Sequence, residues 1–283
     1  MRSMLATILL VAFLAAPLSA RELTGTLLQI KTTGKIRIGY RQDQPPVSFQ
    51  GKDGKPAGYS IDLCKLIVDE VENKIGGDVA VEYVPLSSTE RFVALSDNRI
   101  DILCGSTTKT LSRGELVDFT ELTFVTGAAF MTLKNMRLMN NFNGKKIGVV
   151  KNTTTETALR ALFKDTEINA DIVLLNTTAE GRGALEKGEI DAFSADQVVL
   201  IGQALAAPNP EIFAILPNVY TYEPFALAVR RNDADFRLVA DRVISGLCRT
   251  KQIVKLYEKW FSKFAPQMPP AFEALVLINS IPE

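Results

Sequence analysis

The 283-residue chain has no histidine. That absence removes Ser-His-Asp and Cys-His catalysis, histidine-ligated metal sites and the commonest general base. Net charge is also missing, since 32 Lys and Arg stand against 32 Asp and Glu. No global field therefore argues for nucleic acid or an anionic membrane surface, and any charge selectivity must be local. Low-complexity tracts are lacking too, and 47% hydrophobic with 23% charged residues is ordinary for a soluble globular protein. The length suits two modest domains or one large one. Cysteine is scarce and odd in number: Cys64, Cys104 and Cys248 allow at most one intramolecular disulfide. Cys64 with Cys104 is the favoured pair, because both fall in the first half of the same expected lobe; three buried thiols is the competing reading.

Long apolar runs are absent except at the N-terminus. Met1-Arg2-Ser3 is a short basic start, Leu5 to Leu14 is apolar, and small residues from Ala15 to Ala20 precede Arg21-Glu22. This is the layout of an export signal over 1–20, with Ala20 as the last residue removed. Leu18 is larger than the residue preferred three positions before the cut, which leaves the cleavage site open. A membrane anchor is the alternative, but spanning needs about 20 apolar residues. The mature chain is expected to be soluble and exported.

What is present is a unit that occurs twice. Lys35 to Tyr40 alternates like a strand and leads into a polar loop, and Lys145 to Val150 does the same before Asn152-Thr153-Thr154-Thr155-Glu156. Downstream come Ala94-Leu95 with Ile100-Asp101, and then Ala184-Leu185 with Ile190-Asp191. In each case Ala-Leu ends a helix, polar residues or Gly break it, and Ile-Asp starts a buried strand. The fold class expected is α/β: two lobes of alternating strands and helices, each around a largely parallel sheet. Tyr59 to Lys74, Glu156 to Phe163 and Phe236 to Phe261 have helical periodicity. Phe119 to Leu133 and Tyr222 to Arg230 read as extended segments that pass between the lobes as two hinge strands. Lobe one then takes 21–124 plus 227–283, and lobe two takes 125–226. Asp101 and Asp191, at symmetric strand starts, are assigned to structure.

In order along the chain stand Gly39-Tyr40-Arg41, Gly58-Tyr59-Ser60-Ile61-Asp62, Cys104-Gly105-Ser106-Thr107-Thr108, Arg113 with Val117-Asp118-Phe119-Thr120, and Tyr257-Glu258-Lys259-Trp260-Phe261. Each motif alone is weak, but the five in sequence resemble the periplasmic amino-acid-binding proteins of ABC transporters, most closely the glutamate/aspartate branch, from about Leu23 to about Phe264. The resemblance implies a type II periplasmic binding fold with the amino acid held in the cleft. It further implies no catalysis, cofactor or metal, action as a monomer, and permease subunits of the inner membrane as partners.

An acidic amino acid presents two carboxylates and one ammonium, and each charge leaving water costs several kcal/mol unless paired. A site therefore needs two anion receptors and one carboxylate. By resemblance, Arg113 grips the α-carboxylate in bidentate fashion, helped by the Thr108 hydroxyl; an exposed surface arginine is the plainer reading of Arg113. Thr153 with Glu156 has capping-box spacing, so Thr153 and Thr154 open a helix whose N-terminus faces the same carboxylate. The resemblance pairs Asp196, joined by Ser106, with the ammonium; a helix N-cap is the competing role for Asp196. It places Arg41, Ser88 and Arg91 around the side-chain carboxylate. Where the acidic branch often has a histidine, this chain has Thr178, or on a looser alignment Thr177. Two other readings stay open. One is an enzyme of the cyclohexadienyl dehydratase type, with Glu90 or Glu223 as acid. The other is a soluble sensor that delivers ligand to a receptor.

Overall fold

The computed structural model describes residues 22–136 and 141–283; the export signal expected at 1–20 lies outside the described residues. Helix α1 (Gly25–Thr33) leads into β1 (Lys35–Tyr40). Three short strands, β2 (Asp43–Gln44), β3 (Ser48–Gln50) and β4 (Pro56–Ala57), form a small antiparallel sheet. Then come α2 (Tyr59–Ile75), β5 (Ala80–Pro85), α3 (Arg91–Ser96), β6 (Ile102–Cys104) and β7 (Val117–Thr126). The chain crosses into a second unit of β8 (Ala128–Leu133), β9 (Lys146–Val150), α4 (Thr154–Asp165), β10 (Asp171–Leu175), α5 (Thr178–Glu186), β11 (Ala192–Asp196), α6 (Gln197–Leu205) and β12 (Phe213–Ile215). It returns through β13 (Glu223–Arg230) to α7 (Ala234–Arg249), α8 (Gln252–Phe261) and α9 (Pro270–Ile278).

The molecule has two α/β lobes. Their sheets, in order β5-β1-β6-β13-β7 and β10-β9-β11-β8-β12, have the same layout. Three strands in each are parallel, and the fourth, β13 or β8, runs against them. The sheets are therefore mixed rather than largely parallel. The reason is geometric: the parallel strands point their C-terminal ends at the cleft, so a strand that enters a lobe from the cleft side must run the opposite way. β7 and β13 pair side by side, with Glu223 opposite Thr126 and Pro224 opposite Val125, and form the two-stranded connection between lobes. The lobe limits read from the sequence fall within this ribbon.

The repeated motif has a repeated cause. A Cβ on Gly39 would come within 2.5 Å of Ile100 Cδ1, and one on Gly148 within 2.6 Å of Ile190 Cδ1. In each first strand the isoleucine preceding the strand-start aspartate thus packs over a glycine, and a side chain there would have to push its tip aside. The aspartates then lock the strands. Asp101 Oδ2 accepts from Arg37 N–H and Asp191 Oδ2 from Lys146 N–H, both at 2.8 Å, in each case two residues before the glycine. Asp101 also pairs with Arg37 and Arg230. Both aspartates are structural, as their symmetric placement implied.

α1, α2 and α7 cover one face of the first sheet and α3 lies against the other. An aromatic cluster of Tyr59, Phe124, Phe225, Tyr257, Phe261 and Phe272 fills the base of the hinge ribbon, with Phe124 stacked on Phe261 at 4.7 Å. The periodic stretch Phe236 to Phe261 is two helices, because Lys251 adopts a left-handed conformation (φ 57°). No Gly or Pro marks that break, so periodicity alone runs through it.

Cys64 on α2 and Cys104 at the end of β6 are disulfide-bonded, and Cys248 is a buried thiol. The bridge closes a 40-residue separation and ties α2 to the strand end that carries Gly105 and Ser106. Constraining a loop of this size stabilises by about 2–4 kcal/mol. The Cys64→Ala/Cys104→Ala double variant should lose about that much in denaturant unfolding; an unchanged midpoint would contradict the stabilising role.

Candidate functional site

Strand ends and helix starts from both lobes converge on one cleft, as expected where parallel strands present their carboxyl ends. The space between them is about 30 Å³, room for one or two water molecules with the lobes shut as they are. Eight of the residues selected from sequence line it: Arg91, Ser106, Thr108, Arg113, Thr153, Thr154, Thr178 and Asp196. Arg41 and Ser88 are not in its wall. Arg41 is 4% exposed and lies beside the cavity, with Nη2 3.7 Å from Asp43 Oδ1. Ser88 donates to the carbonyl of Lys151 at 2.9 Å and so bridges the lobes.

Each lining residue has a local reason for its position. Arg91 opens α3 and is 3% exposed. Arg113 begins a short 3₁₀ turn, and its Nη1 donates to the Thr108 carbonyl at 2.8 Å. The Phe92 ring lies between the two arginines, 4.8 Å from the Arg91 guanidinium carbon and 5.4 Å from that of Arg113. Such cation–π contact holds both side chains in place without a counter-ion. Thr153 caps α4, accepting from Glu156 N–H at 3.1 Å, while the Glu156 carboxylate returns to Asn152 N–H at 2.8 Å. The capping box thus forms one residue wider than its usual pattern. Thr177 caps α5, accepting from Glu180 N–H, so Thr178, the first residue of α5, is the threonine that faces the cleft. Asp196 ends β11 at the N-cap position of α6 but makes no side-chain cap bond, and its Oδ1 is shielded from solvent with no hydrogen-bond partner.

The electrostatics are those of a pocket short of negative charge. Burial, then the neighbouring Arg113 and Arg41, hold Arg91 well below the usual arginine range, with Asp196 opposing. Arg91 Nε is buried and has no partner. Burial likewise lowers Arg113, against Glu223 and Asp196. Burial, and next the Glu223 carboxylate, push the Asp196 carboxyl up to about 8 against the pull of Arg113 and Arg91. Buried charge without a counter-charge is costly, and an anion entering beside Arg91 and Arg113 relieves it.

Two carboxylates at this site were not assigned to it from sequence: Asp43, and Glu223, which was named only as an acid for the enzyme reading. Glu223, 2% exposed, opens the return strand and accepts from the Thr108 hydroxyl at 2.5 Å and the Thr154 hydroxyl at 2.8 Å. Each hydroxyl has one proton, and both are committed to Glu223. The only signal was an acid at the start of an apolar hinge segment. Asp43 holds Thr178, whose hydroxyl donates to its Oδ2 at 2.8 Å. It stood in a polar loop with no pattern to single it out. Among the described residues no group of three His, Cys, Asp or Glu forms a metal cluster, and no helix is long and apolar enough to cross a membrane.

The model of the bacterial extracellular solute-binding proteins, family 3, matches residues 36–263. The chain belongs to this family. The L-glutamate/L-aspartate-binding protein of Pseudomonas aeruginosa is 33% identical over 93% of this chain and 89% of its own length. The glutamate/aspartate import solute-binding protein of Salmonella typhimurium is 29% identical over 93% and 89%. A solved ancestral amino-acid-binding protein, described as a precursor of cyclohexadienyl dehydratase, superposes with a TM-score of 0.72 at 27% identity, over 84% of this chain and all of that one.

Two outcomes follow for this family member. The raised Asp196 value belongs to the closed arrangement, against about 3.9 for a solvated aspartate. The closed form binds more protons, so its advantage is full below about 4 and is lost as pH rises through about 8. Small-angle scattering of the unliganded protein from pH 4 to 9 should show expansion with rising pH, and Asp196→Asn should flatten the profile; an equal rise in both would refute the assignment. Gly202 in α6 faces the other lobe, where a Cβ would lie 1.8 Å from the Pro45 carbonyl oxygen. Gly202→Ala should keep or raise thermal stability, since alanine suits a helix, yet weaken ligand binding roughly tenfold or more by blocking closure. Unaltered affinity would show that closure tolerates the methyl group.

Proposed function

We propose that this chain captures an acidic amino acid, glutamate or aspartate, in the periplasm and presents it to inner-membrane permease subunits of an ABC transporter. The observation that carries this reading is the joint placement of Arg91, Arg113 and Asp196 in one enclosed cavity, with Arg91 Nε and Asp196 Oδ1 both shielded and unpartnered. Two anion receptors and one carboxylate are what a dicarboxylic zwitterion requires. The names of its relatives support the same ligand class.

In this reading Arg113 and the N–H groups at the start of α4 take the α-carboxylate. Asp196, assisted by Ser106, takes the ammonium, and Arg91 takes the side-chain carboxylate. Thr108 and Thr154 act through Glu223, which receives one hydroxyl from each lobe and ties them across the hinge. Ser88, Thr153, Thr178 and Arg41 shape and close the cleft. Ligand contacts drawn from both lobes exist together only on closure, so binding shifts the open–closed equilibrium toward the closed form. A permease can then read the closed face.

The chain carries no catalysis in this account. Glu90, one acid that a dehydratase would need, is held below the usual carboxylate range by hydrogen bonds from Ser87, on an exposed surface. Glu223 is committed to two donors.

Calorimetry with glutamate, aspartate, glutamine, asparagine, histidine and arginine tests the proposal. Glutamate or aspartate should bind most tightly, and Arg113→Ala should weaken every amino acid by about two powers of ten or more. Arg91→Gln should cost the acidic ligands more than the amides. Equal losses for glutamate and glutamine would reject Arg91 as the reader of the side chain, and preferred binding of arginine would reject the ligand class.

A further inference from the structure

The outer clasp of the cleft contains a carboxylate outside the ligand set described above. Asp43, on β2 of lobe one, reaches the first turn of α5 in lobe two. Its Oδ2 accepts from Thr178 N–H at 2.5 Å, from the Thr178 hydroxyl at 2.8 Å and from Ala179 N–H at 3.4 Å. Its backbone carbonyl accepts from Gln203 Nε2 at 2.5 Å and also from the Thr178 hydroxyl. Its other carboxylate oxygen, Oδ1, lies 3.7 Å from Arg41 Nη2.

Arg41 and Thr178 are the two residues, one from each lobe, expected to meet a ligand's distal carboxylate. Asp43 bridges both from within the chain. A guanidinium already beside an anion gains less from a second one, because two like charges then share one counter-charge. The single hydroxyl proton of Thr178 is committed to Asp43. Arg41 Nε and Arg91 Nε are both buried without a hydrogen-bond partner, but of the two only Arg41 is ion-paired with a carboxylate and only Arg91 lies in the cavity wall.

We infer that Asp43 is a specificity-determining residue: a resident carboxylate that offsets the charge of Arg41, holds Thr178 and leaves Arg91 as the one guanidinium in the cavity wall to read the ligand's distal group. This rests on the amino-acid reading above. Discrimination of glutamate from glutamine is then set by one arginine, and Asp43 restrains it.

The test is the ratio of glutamine to glutamate Kd, measured by calorimetry on the mature chain and on Asp43→Ala and Asp43→Asn. Removing the resident charge frees the buried Arg41 for the ligand, so the ratio should rise roughly tenfold or more, even where overall affinity falls. Asp43→Asn keeps an oxygen acceptor for Thr178 N–H and carries the test should the alanine variant fold poorly. A ratio that moves in neither variant overturns the role of Asp43 while leaving the amino-acid reading intact. Failure of the unaltered protein to bind either ligand overturns that reading and this inference together.

Discussion

The site depends on arginine charge held out of water between two lobes without full neutralisation. Arg91 is 3% exposed, beside Arg113 and Arg41, and the nearby Asp196 favours its protonated form in the closed arrangement. In a packed core this would be destabilising, since an unpaired buried charge costs several kcal/mol. In a cleft that can open, the same cost makes closure conditional. The protein closes at a gain when an anion enters with it, and the fold exists to bring that condition about.

Closure itself is built from contacts that are individually modest. The Ser88 bond to Lys151, the Asn152 bond to Thr89, the Asp43 clasp on Thr178 and the paired hydroxyls on Glu223 all cross between lobes. Gly202 allows the Pro45 backbone to approach α6. Glu223, at the hinge, and Asp43, on β2, hold residues of the cavity wall, and the wall itself carries the Asp196 carboxylate beside Arg91 and Arg113. That arrangement explains how a chain with no net charge can be selective for a charged guest: sign is set within a few ångströms.

Much of this was legible in the residues. Ala-Leu and Ile-Asp at matched spacing, each downstream of an Ile-Gly strand, announced two equivalent lobes: Ile100 or Ile190 packs over the glycine of the first strand, and the aspartate locks that strand. The Cys64–Cys104 pairing followed from shared lobe membership. Asp196, Arg91 and Arg113 were singled out by the resemblance of the motifs around them, and the structure brings all three into one cavity wall. The sheets were harder: the direction of β8 and β13 follows from where the chain crosses the hinge, which no local pattern records. Asp43 went unnoticed, and Glu223 was named only as an acid for the enzyme reading, because their partners lie 135 and 115 positions away and a single acid has no periodicity to reveal its role. The left-handed turn at Lys251 went unmarked for a similar reason, lacking the glycine that would ordinarily signal it.

A crystal structure grown with glutamate tests the central claim most directly. The account predicts one ligand carboxylate on Arg113, the other on Arg91, and the ammonium on Asp196, with both lobes in contact. A ligand that left Arg91 and Arg113 without a carboxylate partner, or that bound outside the cleft, would contradict it.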